Sequence, residues 1–197
     1  MAEEKDPPAA KRSGTRESIL FLLGGVAAAV LVHVFALQSF YIPSESMENT
    51  LLVNDRVLVN KLAYRFGDVD RGDIVVFKGW TGEDTIKRVI AKGGDTVRCC
   101  DARNRITVNG TPLDETGGYV YPGASPSDGR FDVKVPAGRL WLMGDHRDDS
   151  QDSRSFVDDG NEGTISEDDV IGRAFVRYWP LSRGSFLSPP ATFSAIH

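Results

Sequence analysis

Ser44 and Ser46 stand two residues apart in YIPSESMENTLLVND (residues 41–55), directly behind Pro43. Alternation along an extended chain puts both hydroxyls on one side. Such a pair is either a polar turn or a nucleophile with an oxyanion donor beside it. A serine becomes a useful nucleophile only where a neighbouring base takes its proton. Histidine is the usual base, and the chain has three, His33, His146 and His197. His33 sits in a long apolar run and His197 ends the chain, which leaves His146 in MGDHRDDS (143–150). The order Ser46, Asp145, His146 permits a triad, although an Asp and a His adjacent in sequence rarely orient each other. Neither the G-x-S-x-G elbow of the hydrolases nor the S-x-x-K of penicillin-binding enzymes is present.

Lysine is the other base in use, provided that it is neutral. An apolar site that strips its hydration lowers its pKa from about 10.4 by several units. In TIKRVIAKGGD (85–95), Lys87 alternates onto one strand face with Val89 and Ala91, and Arg88 onto the other with Ile86 and Ile90. Arginine keeps its proton at working pH, which removes Arg88 as a base. A single strand lysine taken alone is an ordinary solvated head group.

These residues need elements to hold them. The chain has 197 residues, room for one domain plus an anchor, and its 41% hydrophobic content supports a core. A net charge of -5 argues against a nucleic-acid binder, which shows a basic face. Ile19 to Leu37 is a run of 19 residues in which His33 is the sole titratable group. As a helix rising about 1.5 Å per residue it approaches the roughly 30 Å of a bilayer core. Lys5, Lys11, Arg12 and Arg16 precede it, and the next cationic residue is Arg56, which places the N-terminus in the cytoplasm. A cleavable secretory signal shares this pattern, but its apolar core usually has only about 7–15 residues, so an anchor is the preferred reading.

The expected organisation is therefore a cytoplasmic tail (1–18), a transmembrane helix (19–37), an exported β-rich domain (38–181) and a flexible C-terminal tail (182–197). Strands are expected at Arg56–Tyr64, Asp73–Trp80, Thr85–Lys92, Arg105–Gly110, Gly138–Gly144 and Gly172–Trp179, since each is β-branched or aromatic and bounded by turn residues. Residues 115–130 and the acidic stretch 157–169 look like surface loops. The RGD at 71–73 reads as a turn opening IVVF rather than as an adhesion motif. The adjacent Cys99 and Cys100 read first as two structural thiols and second as a vicinal disulfide; no His or further Cys lies near them to complete a metal site.

Four blocks follow the apolar run in order: IPSESMENTL (42–51), RGDIVVF (71–77), KRVIAKGGD (87–95) and GDHRDDSQDSR (144–154). Together they resemble the bacterial type I signal peptidases, the serine–lysine S26 family, as far as about Trp179. The first and last blocks are the specific ones. The resemblance implies Ser46 as nucleophile and Lys87 as general base, with Ser44 and the Ser46 amide forming the oxyanion hole. It also implies that Ser150 orients the lysine amine, that Asp152 and Arg154 form a supporting pair, and that Asp145, Arg147 and Arg88 are scaffold.

The fold implied is a mainly β peptidase domain behind a single-pass anchor in the bacterial plasma membrane. The implied partners are the lipid bilayer and preprotein signal peptides with small residues before the cut, and no metal or cofactor is implied. Three positions depart from the family. Asn49 replaces a usual proline, His146 replaces a usual asparagine, and the segment after DSRSF lacks the aromatic–Gly pair and is longer. Two other classes fit the composition: a non-enzymatic β module tethered to the membrane, and a self-cleaving Ser–Lys regulator of related fold, which would need a DNA-binding domain.

Overall fold

The computed structural model describes residues 14–116 and 118–196. Lys5, Lys11, Arg12 and His197, and the side chain of His33, lie outside the described residues. The chain divides into two units between Ala36 and Leu37. The first holds helix α1 (Gly14–Phe35), in which the Ser18 hydroxyl donates back to the Gly14 carbonyl at 2.7 Å. Ile19 to Leu23 are all exposed, so the apolar side chains cover every face of this stretch rather than one stripe. Among the described residues no helix is long and apolar enough to cross a membrane. The apolar run does not stay helical to Leu37. That residue opens strand β1 (Leu37–Tyr41), whose five residues all pair with β2 (Arg56–Asn60), from Leu37↔Asn60 to Tyr41↔Arg56.

The second unit is mainly β. After β1 and β2 come β3 (Ile74–Lys78), β4 (Asp84–Lys92), β5 (Thr96–Cys99), β6 (Ile106–Val108), β7 (Thr111–Pro112) and β8 (Phe131–Lys134). They are followed by β9 (Arg139–Met143), β10 (Ile165–Ser166), β11 (Val170–Trp179) and β12 (Ser185–Phe186). One sheet runs in the order β1-β2-β11-β3-β4-β9-β10 with β12 on β11, and a smaller one in the order β7-β6-β5-β8. All neighbours are antiparallel.

Strand β3 is central and buried on both faces, which its unbroken IVVF requires. Ile74 and Val76 join Met47, Leu51, Val57 and Ala174 in one core cluster, while Val75 and Phe77 join Val89 and Leu142 in another. A third cluster contains Ile90, Val97, Leu113, Val133 and Trp141.

Two expectations fail. Residues 182–197 are no loose tail, because β12 pairs with β11 and Phe193 and Ile196 enter the third cluster, 5% and 6% exposed. Burying each such side chain contributes about 1.5–3 kcal/mol, enough to dock a short segment. Cys99 and Cys100 are not two thiols but a disulfide. The alternation that would separate them ends at Cys99, the last residue of β5. The acidic stretch is also only partly solvated: Gly163, Thr164 and Ile165 are buried, and Ile165–Ser166 pair with β9.

Candidate active site

The turn after β1 is pinned from inside. Met47 and Leu51 are fully buried, and the Leu51 N–H closes on the Met47 carbonyl at 2.7 Å. With Met47 facing the core, Ser46 faces an open cleft of about 410 Å³ that Ser44, Lys87, Trp80, Thr85 and Phe156 also line. Asn49 sits at φ 62°, a left-handed conformation that asparagine tolerates and proline cannot adopt. Its amide donates to the Gly118 and Val120 carbonyls at 3.0 and 3.3 Å, tying the turn to the loop after β7.

Lys87 projects from β4 toward the same cleft. Its Nζ donates to Ser46 Oγ at 2.6 Å, and Ser44 Oγ lies 3.3 Å from Ser46 Oγ. The lysine is only 3% exposed, and its pKa is lowered from 10.5 to about 8. Burial is the main cause; the nearby Asp152 carboxylate opposes it, and Arg154 adds to it. A hydroxyl bonded to an amine that is substantially neutral at mild alkaline pH can surrender its proton to it. Among the described residues no backbone–backbone hydrogen bond engages the Ser46 amide N–H.

The final sequence block is a scaffold of buried ion pairs. Arg88, on the opposite face of β4 from Lys87, clasps Asp145 with Nε–Oδ1 at 2.8 Å and Nη2–Oδ2 at 2.6 Å. Its guanidinium also stands over the Tyr119 ring, 4.4 Å from the centroid. Asp152 receives Arg154 through two bonds of 2.8 Å and the Gly144 N–H at 2.9 Å. Burial pushes the Asp152 carboxyl up, but Arg154 and the Gly144 N–H outweigh it and hold the pKa below the usual value. Arg147 pairs with Glu115 and donates to the Gly144 carbonyl at 3.0 Å. Gly144 itself has no room for a side chain, since a Cβ there would collide with Ser150 Oγ and the Ser46 carbonyl.

Ser150 Oγ is buried against this glycine, close enough to Asp152 to help hold its carboxyl down, and its expected bond to the lysine amine is not made. His146 does not reach Ser46 through its ring. Its backbone N–H donates to the Ser46 carbonyl at 3.1 Å, and Asp145 is committed to Arg88. Among the described residues no cluster of His, Cys, Asp and Glu could hold a metal ion.

Several contributors carry no sequence signal of their own. Thr50 bonds the Asp145 carboxylate and accepts from Arg88 at 3.2 Å. Glu115 and Tyr119 come from a loop that looked merely superficial. Trp80 stacks on Phe156 at 4.7 Å to wall the cleft, and its Nε1–H donates to the Gly163 carbonyl at 3.2 Å.

A family model described as signal peptidase, peptidase S26, matches residues 15–179. Signal peptidase I of Mycobacterium tuberculosis (strain H37Rv) is 37% identical over 92% of this chain and 78% of its own length. Signal peptidase I of Leptolyngbya laminosa is 38% identical over 85% of this chain and 81% of its own length. A crystal structure of a signal peptidase I from Enterococcus faecalis, 25% identical, aligns with a TM-score of 0.43 over 54% of this chain and 97% of that one.

Proposed function

This chain belongs to the signal peptidase, peptidase S26, family of serine endopeptidases, and from that premise we propose that Ser46 and Lys87 are the dyad with which it cuts signal peptides from preproteins at a bacterial plasma membrane. The observation that carries the proposal is the 2.6 Å contact between Ser46 Oγ and a buried lysine whose pKa is lowered to about 8. Ser46 Oγ attacks the scissile carbonyl as its proton passes to Lys87 Nζ. The Ser46 N–H and the Ser44 hydroxyl stabilise the tetrahedral oxyanion. Collapse expels the new amino terminus, which takes the proton from the lysine ammonium. Lys87 then deprotonates water for attack on the acyl-serine, and the signal peptide leaves as a carboxylate.

The substrate docks as an extended segment. β3 pairs with β4 along Asp84–Arg88, whereas β9 pairs only from Arg88 onward. The opposite edge of residues 84–87 is therefore open for strand addition next to the dyad. Small residues at the first and third positions before the cut are the substrate preference that family membership suggests. The apolar run from Ile19, with its cationic flank on the N-terminal side, serves as the anchor, with the N-terminus cytoplasmic and the β domain outside. Ser46 follows Leu37 by nine residues, which keeps the nucleophile close to the bilayer surface in sequence. Incubation of the detergent-solubilised full chain with a preprotein, followed by mass mapping of the products, tests this function. A single cut after a small residue at the signal-peptide boundary is expected; intact preprotein, or cuts scattered through the mature part, would refute it.

A further inference from the structure

The nucleophile-bearing turn is also gripped by the loop after β9. The His146 ring lies against Tyr121, centroids 4.0 Å apart and 19° from parallel. Its Nδ1 is buried with no hydrogen-bond partner and stands 3.9 Å from Glu48 Oε2. Ring and carboxylate are 15% and 22% exposed, so solvent screens the pair only weakly. Glu48 follows Ser46 by two residues, and its N–H closes the same turn on the Glu45 carbonyl at 2.8 Å. The His146 backbone N–H meanwhile holds the Ser46 carbonyl. One residue thus touches the turn at Ser46 and faces it at Glu48.

We propose that His146 is a positioning residue for Ser46: on gaining a proton, its ring draws in the Glu48 carboxylate and shifts the nucleophile-bearing turn away from its register with Lys87. This rests on the Ser46–Lys87 dyad. The geometry sets the direction. A separation of 3.9 Å is about 1 Å beyond a charge-assisted N–O bond, so closing it moves backbone or side chain by that order. A neutral ring gains nothing from closure that a charged ring gains, because the carboxylate attracts only the cation strongly.

The other charged neighbours are occupied. Asp145 is bound by Arg88, Arg147 by Glu115, and Asp148 by the Ser125 N–H at 3.0 Å. Tyr121 offers only its ring face, and the Asp149 carboxylate lies along the cleft on the Lys87 side. Among the described residues Glu48 is the one carboxylate within ion-pair distance of the imidazole.

The test uses the full chain in detergent with a fluorogenic peptide spanning a preprotein cleavage site. Below about pH 8, loss of the neutral lysine alone gives a logarithmic slope of one in kcat. A second proton, taken by the imidazole, steepens the wild-type slope on the acid side. At the acid end of the profile the wild type is expected to fall by up to about a hundredfold below the one-proton line, with KM little changed, since an ångström of misplacement can cost that much. H146N and E48Q, each normalised to its own rate at alkaline pH, should both return to a slope of one.

A double-mutant cycle of the same two substitutions in urea unfolding supplies a readout independent of cleavage. Coupling is expected at acid pH and should vanish at alkaline pH. Coupling that is equal at both pH values overturns the pair. Acid coupling with unchanged slopes overturns the positioning role. A wild type that cuts nothing sinks the dyad reading and the positioning role with it, while the cycle still reports on the pair.

Discussion

Replacing Lys87 with methionine separates the chemical role of the lysine from what its burial costs the fold. An unfolded chain binds the lysine proton near 10.5, and the folded site near about 8. Folding therefore expels a proton between those values, and stability rises with pH across that window. At and below about pH 8 the full penalty applies, about 3 kcal/mol at 1.36 kcal/mol per tenfold change in affinity. The Lys87→Met variant escapes this penalty and forfeits the bond to Ser46, worth about 1 kcal/mol. It should be inactive yet more stable than wild type by about 2 kcal/mol at neutral pH, with the gap closing as pH rises from about 8 toward 10.5.

The same shift serves catalysis. About one amine in ten is neutral at pH 7 when the midpoint is near 8, against roughly one in three thousand for an unperturbed lysine. Urea unfolding followed by tryptophan fluorescence at several pH values measures the gap. No gain at neutral pH, or a gap that does not depend on pH, would show that Lys87 is not desolvated in the resting protein.

Cleavage by the wild type should climb with pH through about 8 and then level, because the neutral lysine is the active form; a flat profile from pH 6 to 9 would argue against it. Ser44→Ala should slow turnover by about 10²–10³-fold with KM little affected, as loss of one oxyanion donor does in a steady-state assay. Gly144→Ala inserts a methyl between Ser150 and the Ser46 carbonyl, and a cost on the order of 10²-fold in kcat is expected from the displaced nucleophile. Asp145→Ala leaves Arg88 charged and buried, and denaturant unfolding should register a loss of about 3–5 kcal/mol.

Much of the geometry of the candidate site was legible because its residues sit in short local segments. Ser44 and Ser46 sit in one turn, Lys87 in one strand, and the alternation of Lys87 against Arg88 sends one to the cleft and the other to Asp145. Strand β3 was readable from IVVF, and β4 and β9 from their own apolar runs. What stayed hidden depends on distant pairing. β1 was masked by the apolar run that precedes it and becomes a strand only through β2. Phe193 and Ile196 carry no periodicity, and only the cluster they join in three dimensions declares them core. Glu115 and Tyr119 lie in a loop whose composition suggests solvent, yet Arg147 needs both. The bond from Ser150 to the lysine amine, which the family pattern implies, is absent, and the hydroxyl lies beside Gly144 and Asp152 instead.

The central claim is that one serine and one lysine do the chemistry together. It is tested most directly by single-turnover cleavage of a preprotein by wild type, Ser46→Ala, Lys87→Ala and the double variant, with each fold checked by circular dichroism. Both single variants should lose cleavage entirely, and the double should be no worse than either, as expected of groups acting as a unit. Retained cleavage in folded Lys87→Ala, with loss in His146→Ala, would contradict the dyad and assign the base to the histidine.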